Sequence, residues 1–450
     1  MSDFPESFEK RMRQSLHGEW ESFLAVHQTP SPVSIRINPF KNHLTTELPK
    51  VPWAQYGRYL PERPVFTLDP TFHAGSYYVQ EASSMFLEQV FHQFIDTKEK
   101  LTVLDLCAAP GGKSTHLASL INADSLLVSN EVIRSRASIL AENLQKWGTN
   151  NVVVTNNDPE DFSDLTGLFD VIVVDAPCSG EGLFRKDPDA MKEWSEDNVQ
   201  LCSKRQQRIL HDIWPALKEN GILIYSTCTY NALENEENLQ WLKTEKEVEF
   251  LSLNIDPAWN VLTIEENGTK GYRFYPHRVN GEGFFLSVIR KKEPEGTVRI
   301  KPQKNGFTSP SKKILEKIQS WVKSPEGKTF IQRDDLVQFF PASQTPTIEL
   351  LVKSLRIVTA GTFLGTVKHE KVIPEHALAI SLQLDVDQFP KLAVSVDEAI
   401  QYLKKENINL PSEQKGFSLI TFNSLPLGWV NVLDNRINNM YPSEWRIRMK

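Results

Sequence analysis

Two of the chain's four cysteines stand just beyond short apolar runs. Cys178 lies in Asp175-Ala176-Pro177-Cys178-Ser179-Gly180, after Val171-Ile172-Val173-Val174. Cys228 lies in Ser226-Thr227-Cys228-Thr229, after Gly221-Ile222-Leu223-Ile224. Runs of this kind read as buried strands, and a parallel α/β sheet collects ligands and reacting groups at its strand ends. A free cysteine taken singly is usually a small buried hydrophobe. Two thiols ending adjacent strands predict instead covalent chemistry on a bound substrate. Cys107 and Cys202 keep the structural reading, the first in a turn and the second on a helix.

A second constellation precedes them. Val103-Leu104-Asp105-Leu106 reads as a strand, and Cys107-Ala108-Ala109-Pro110-Gly111-Gly112-Lys113 as a small-residue loop opening a helix. Gly112-Lys113-Ser114 imitates a phosphate-binding loop, but that motif needs glycine where Cys107 stands, and no G-x-G-x-x-G occurs there. What remains is a tight strand–loop–helix turn that lets a ligand approach the backbone, with a helix N-terminus suited to a carboxylate. Glu131 follows the second strand-like run and can accept both hydroxyls of a ribose. Asp158 follows the third and could meet an adenine amino group, and Asp175 ends the fourth. Arg136 completes the predicted set. A nucleoside with a charged tail fits this outline, and S-adenosyl-L-methionine is the expected cofactor.

These residues need a frame. Strand candidates at 101–106, 125–130, 151–155, 170–175, 221–226, 247–252 and 283–290 alternate with helices at 112–121, 133–147, 198–217 and 233–245. That alternation predicts a doubly wound, mostly parallel α/β sheet. Before it, Phe8 to Val26 has helical periodicity and Ser34 to Asn38 reads as a strand stopped by Pro39. After it, 291–312 reads as a linker, and small α+β units follow to the end. The expected division is 1–98, 99–292, 293–369 and 370–450.

Size and composition bound the rest. At 450 residues, 40 % hydrophobic and 24 % charged, several globular domains are expected and no membrane span. The start resembles no export signal, so the cytoplasm is the expected compartment. Four cysteines without a C-x-x-C pair predict neither a disulfide framework nor a metal site. The net charge, 50 − 57 = −7, excludes a uniformly basic surface but not local basic patches. Such clusters occur at Lys10-Arg11-Met12-Arg13, Lys204-Arg205-Gln206-Gln207-Arg208, Arg290-Lys291-Lys292, Lys312-Lys313 and Arg446-Ile447-Arg448-Met449-Lys450. They make a polyanion a plausible partner.

With these motifs in place, the chain resembles the Sun/RsmF-type family of RNA (cytosine-5) methyltransferases, in its bacterial ribosomal-RNA branch. The resemblance is carried by Asp105 to Lys113, Asp175 to Gly180 and Ser226 to Thr229. Gly75 to Met85 and Gly281 to Phe285 add to it. Leu425 to Trp429 and Asn435 to Pro442 are similar to that branch's PUA-like end. The resemblance implies a Rossmann-like class I methyltransferase sheet with an N-terminal α+β domain and C-terminal PUA-like RNA-binding units. It implies S-adenosyl-L-methionine-dependent methylation at C5 of a cytidine in ribosomal RNA, expected to be the small-subunit 16S rRNA, by a monomer.

It also assigns Cys228 as the nucleophile and Cys178 as the residue needed for release. C5 of cytosine is a poor nucleophile until a thiolate adds to C6, and a second group must then remove the C5 proton. An ordinary thiol is only about 3 % thiolate at pH 7, so a nearby cation would help, and Lys113 is the candidate. Asp175 either donates a proton to the ring or stays ionised and holds a protonated one. Arg185 and Lys186, in the loop after Cys178, are expected at phosphates, and Trp429, Tyr441 and Trp445 are candidates for base contacts. The same chemistry on transfer RNA, or a non-catalytic RNA-binding assembly factor, are the alternatives. A small-molecule enzyme would not need the flanking domains, and a DNA enzyme with a Pro-Cys nucleophile would leave Cys228 unexplained.

Overall fold

A computed structural model describes residues 4–41, 47–294, 308–369, 371–408, 410 and 414–449. Most of the expected linker, and Lys450 of the basic tail, lie outside the described residues.

The sheet that carries the site follows from the apolar runs. β1 (Thr102–Asp105), β2 (Leu126–Asn130), β3 (Val152–Thr155), β4 (Phe169–Asp175) and β5 (Leu217–Thr227) pair in parallel in the order β3-β2-β1-β4-β5. Order reverses between β1 and β4, which is where a doubly wound sheet opens its ligand crevice. Both faces are covered, so the strands carry no polar alternation: Val103 and Leu127 enter one core, Leu104 and Val128 the other. The crossovers are α1 (Gly112–Leu120), α2 (Arg134–Trp147) and α3 (Glu196–Ile213), and α4 (Glu236–Glu245) follows β5. The expected helix 198–217 gives way after Ile213 to a 3-10 turn, Trp214–Ala216, because Pro215 lacks an amide donor.

Beyond β5 the sheet turns antiparallel. β6 (Val248–Phe250) and β9 (Phe284–Lys291) lie near the expected strands. β7 (Leu262–Glu266) and β8 (Thr269–Phe274) form a hairpin that is not among the expected elements. Its signal lies in the turn: Asn267 and Gly268 hold φ of 50° and 76°, the two positive angles a tight hairpin turn requires. The opposite edge is closed by β10 (Ile357–Ala360), antiparallel to β3. A strand from far along the chain thus covers an edge that would otherwise stay open to foreign strands.

The N-terminal helical run divides into Glu6–Ser15 and Trp20–Val26, broken where His17 and Gly18 take positive φ. Its buried face, including Phe8, Met12, Trp20 and Phe23, packs on Phe184, Trp194, Tyr230 and Tyr275. These helices therefore buttress the segments that follow Cys178 and Cys228. A three-stranded antiparallel sheet (Val33–Ile37, Gly57–Leu60, Tyr77–Val79) completes this region. Two four-stranded C-terminal sheets share one core, in which Val337 and Leu364 meet Leu419 and Trp429. Among the described residues no helix is long and apolar enough to cross a membrane.

Candidate active site

β4 and β5 run side by side with Asp175 opposite Ser226, so the cysteines three and two residues further on emerge together. The Cys178 and Cys228 sulfurs are 3.1 Å apart, and the Cys228 amide points at the Cys178 sulfur at 3.4 Å. The hydrogen bond to Cys228, then burial and the Cys228 charge, hold the Cys178 thiol well above its ordinary pKa. Lys113, at the start of α1, lies almost buried with Nζ 2.8 Å from Asp175 Oδ2. Burial opposes its charge, but Asp175, Asp105 and Cys228 outweigh that and raise its pKa. Asp175 Oδ1 accepts from Ser226 Oγ at 2.8 Å. Lys113, Asp175 and the two thiols thus form one electrostatic unit.

The acidic wall stands beside it. One pocket of about 470 Å³ is lined by Cys107, Glu131, Asp158, Asp175, Cys178 and Cys228 among others, so the expected cofactor residues and both thiols share a cavity. Gly111 holds φ 116° as α1 begins, a conformation that side chains disfavour. Arg136 donates to the Ala109 carbonyl at 2.8 Å and faces Glu131 at 3.4 Å. Glu131 Oε1 accepts from the Ile133 amide, which leaves acceptor capacity on Oε2. Asp105 is fully buried: Oδ2 accepts from Ser114 Oγ at 2.7 Å and Oδ1 has no partner. Burial, with Asp175 and Glu131 nearby, pushes its carboxyl up to about 7. Burial likewise pushes the Cys107 thiol up. Asp158 is held by both guanidinium nitrogens of Arg208, at 2.8 and 3.2 Å, and that hydrogen bond lowers its pKa.

A cationic, carboxylate-bearing nucleoside suits these groups: acceptor capacity on Glu131, an unpartnered oxygen on Asp105, and a glycine turn into a helix N-terminus.

The comparisons with known proteins agree with this geometry. Residues 92–290 match the protein-family model described as 16S rRNA methyltransferase RsmB/F. Residues 4–82 match the N-terminal domain of 16S rRNA methyltransferase RsmF, and residues 389–447 the methyltransferase RsmF PUA domain. Ribosomal RNA small subunit methyltransferase F of Shewanella loihica is 31 % identical over 95 % of this chain and 92 % of its own length. The chain belongs to the RsmF-type 16S rRNA methyltransferase family. The protein of the same name from Escherichia coli O157:H7 is 30 % identical over 98 % of this chain and 96 % of its own. A methyltransferase homolog from Pyrococcus horikoshii superimposes with TM-score 0.55 at 30 % identity, covering 64 % of this chain and 96 % of that one. NSun6 from the same organism shares the fold, with TM-score 0.54 at 19 % identity, over 65 % of this chain and 99 % of its own. The chain is a methyltransferase, and its cofactor is S-adenosyl-L-methionine.

Within this RsmF-type frame some expected site residues turn out to be structural. Arg185 is not at a phosphate position. Its side chain is 4 % exposed and pairs with the equally buried Glu282 at 2.9 Å, because the loop after Cys178 lies against Gly281-Glu282-Gly283. A Cβ on Gly182 would come within 2.5 Å of the Gly283 carbonyl. Trp429 and Tyr441 are each 1 % exposed, so they are not open to bases, while Trp445 is half-buried against both of their cores.

Other functional side chains had no local signal. Glu234, fully buried, accepts from the Ser179 amide at 2.9 Å and from Ser179 Oγ at 2.5 Å. It holds the residue next to Cys178. Arg36, from the N-terminal sheet, donates to Gln80 at 2.8 Å and Thr115 at 2.6 Å, and lies over the Trp147 ring at 4.3 Å. It ties α1, and so Lys113, to that sheet.

Proposed function

We propose that this methyltransferase modifies C5 of a cytidine in 16S ribosomal RNA through a covalent bond between Cys228 and C6, acting as a cytoplasmic monomer. The observation that carries the reading is the contact between the two thiols, with Lys113 and Asp175 beside them. The family and its relatives' names supply the RNA class. A base must leave its stack to reach such a cavity, so a loop or locally opened helix is the natural target.

The residues divide the work. Cys228, as the thiolate and with the Lys113 charge nearby, adds to C6 and sends the C5=C6 electron pair into the ring. Asp175, paired with Lys113, meets N3 and the exocyclic amino group of the base. S-adenosyl-L-methionine, when bound, supplies an electrophilic methyl group for C5. Glu131 and the Asp105–Lys113 turn orient that donor, with Arg136 bracing both. Asp158 keeps capacity on Oδ2 for an amino group beside its Arg208 bond.

Release then needs a base for the C5 proton. Before attack, Cys178 is held protonated chiefly by Cys228. Once the Cys228 sulfur is bonded to carbon, its charge is gone, and Cys178 loses the largest of the influences that raised it, while burial and Glu234 remain. Cys178 gives its own proton to solvent water and, as the thiolate, takes the C5 proton while the C5=C6 bond reforms and the Cys228–C6 bond breaks, Cys228 leaving as the thiolate.

The test separates the thiols. Cys178→Ser incubated with 16S rRNA and S-adenosyl-L-methionine is expected to accumulate a slow, covalent band on a denaturing gel. The double variant Cys178→Ser/Cys228→Ser is expected to lack it. If Cys228→Ser accumulates the band instead, the roles are reversed. No band from either single variant would leave covalent catalysis unsupported.

A further inference from the structure

Cys178 and Cys228 are placed for a second reaction, one that needs no RNA. Both are free thiols, half-buried, and both line the pocket beside Asp175, so a small solute reaches either sulfur. The chain around them is pinned. Ser179 gives its amide to Glu234 and its Oγ meets Thr229 Oγ1 at 3.1 Å, which links the residues directly after the two cysteines. Asn235 accepts from Thr227 Oγ1 at 2.7 Å and donates to the Thr229 carbonyl at 3.0 Å, so Cys228 is held from both sides. The sulfurs, 3.1 Å apart, therefore stay in contact, and each is at a high effective concentration for the other. A disulfide bond of about 2.05 Å asks for about 1 Å of approach, shared between two side chains.

Redox-sensing cysteines share this arrangement: one accessible sulfur meets the oxidant, and a resolving thiol beside it captures the product. The two thiols here are not equivalent. Cys228 has the Lys113 charge nearby, whereas Cys178 is held protonated, first by its hydrogen bond to Cys228 and then by burial. Cys228 is thus the sulfur that meets the oxidant, and Cys178 the one that resolves it. Cys202 stands outside the pair, with its sulfur turned to Asn198 Oδ1 at 3.9 Å.

We infer that a hydroperoxide joins Cys178 and Cys228 in a reversible disulfide, which switches methylation off by consuming both thiols that the reaction needs. This rests on the covalent reading of the site and adds its regulation. The Cys228 sulfur, as the thiolate, attacks one peroxide oxygen. The O–O bond breaks, and the departing hydroxide takes up the proton that Cys228 had released and leaves as water. Cys228 is then a sulfenic acid. Cys178 gives up its proton, its sulfur attacks the Cys228 sulfur, and the S–O bond breaks, so that the second oxygen leaves as water with that proton. The two sulfurs are oxidised and the peroxide is reduced to two waters. A dithiol reverses the step by exchange, becoming a disulfide itself and returning both thiols. Glu131 and Arg136 take no part, so the oxidised chain keeps its cofactor site.

The test treats the full chain with hydrogen peroxide in the absence of RNA, blocks remaining thiols with N-ethylmaleimide, and digests with trypsin without reductant. Cleavage after lysine and arginine frees Cys178 in the peptide 147–185 and Cys228 in the peptide 219–243. Mass spectrometry should find these two joined, about 2 Da below their sum for the two hydrogen atoms lost. Cys202→Ser should give the same pair. Methyl transfer to 16S rRNA should fall about tenfold or more as the joined fraction rises, because the nucleophile is gone, and should return on treatment with dithiothreitol. Cofactor affinity by calorimetry should not change. In Cys178→Ser, peroxide should leave Cys228 as a sulfenic acid that dimedone traps, whereas wild type should take up none. Separate peptides, or a bridge that includes Cys107 or Cys202, would overturn the inference. So would a joined protein that still methylates, or a Cys228 that passes to the sulfinic acid, which dithiothreitol does not reduce. A disulfide in a chain whose Cys178→Ser form gives no RNA adduct would refute the covalent reading and leave the thiol chemistry standing. An RNA adduct without a disulfide would refute the switch alone.

Discussion

Glu234 offers the strictest test of how the site is held. Its Oε1 accepts from the Ser179 amide at 2.9 Å and Gln206 Nε2 at 3.0 Å, and its Oε2 from Ser179 Oγ at 2.5 Å. In Glu234→Ala, Gln206 keeps the Pro177 carbonyl at 3.0 Å and Ser179 Oγ keeps Thr229 Oγ1 at 3.1 Å. The buried Ser179 amide keeps nothing among these bonds. One orphaned donor costs roughly 1–3 kcal/mol, and the vacated volume adds to it, so a loss of about 2–4 kcal/mol is expected by urea denaturation. The larger effect falls on rate. Ser179 follows Cys178 directly, and a displacement near 1 Å at a reacting group costs on the order of 10²-fold. Methyl transfer to 16S rRNA under saturating cofactor should fall by about that factor while cofactor affinity, set by the other wall of the pocket, holds within about twofold. Glu234→Gln keeps one acceptor oxygen and should recover most of the rate. A Glu234→Ala variant that loses stability but keeps near-normal turnover would refute the claim that this carboxylate positions Cys178.

Glu131→Ala should weaken S-adenosyl-L-methionine by about 1–3 kcal/mol in calorimetry, the cost of unpaired polar groups, and unchanged affinity would remove Glu131 from the site. Asp105 links stability to pH. Its carboxyl rises from 3.8 to about 7 on folding, so its contribution is full below about pH 4 and is lost as pH rises towards 7. At about 1.4 kcal/mol per pH unit that amounts to roughly 4 kcal/mol. Asp105→Asn should therefore gain stability relative to wild type between pH 5 and pH 8 in paired denaturation curves, and parallel pH profiles would show that Asp105 ionises freely. Trp429→Ala should cost about 3–5 kcal/mol, as for a core aromatic. A stable variant that loses only RNA affinity would return Trp429 to the binding surface.

Much of the site was legible because its signals are local. The apolar runs marked β1 to β5 since strands buried on both faces need continuous hydrophobicity. The placement of Asp105, Glu131, Asp158 and Asp175 after successive runs then put them at one edge, because parallel strands all end on the same side. The Asn267-Gly268 hairpin is equally local, but its signal rests on two turn residues between short, half-polar strands rather than on an apolar run. Long-range partner choice was beyond any such reading. Arg185 and Lys186 look alike in sequence, yet Glu282, 97 residues on, draws Arg185 into a buried pair. Trp429 and Tyr441 carry no mark that separates a stacking platform from a core filler, and the packing of two small sheets decided it. β10 became the edge of the catalytic sheet because β3 left unpaired backbone there. The sequence by itself determined which chemistry the chain carries, since reacting groups come in short motifs whose order survives folding. The tertiary structure alone determined the 3.1 Å approach of two thiols 50 residues apart and the Lys113–Asp175 pair beside them, because distances between strand ends are set by sheet register and not by spacing along the chain.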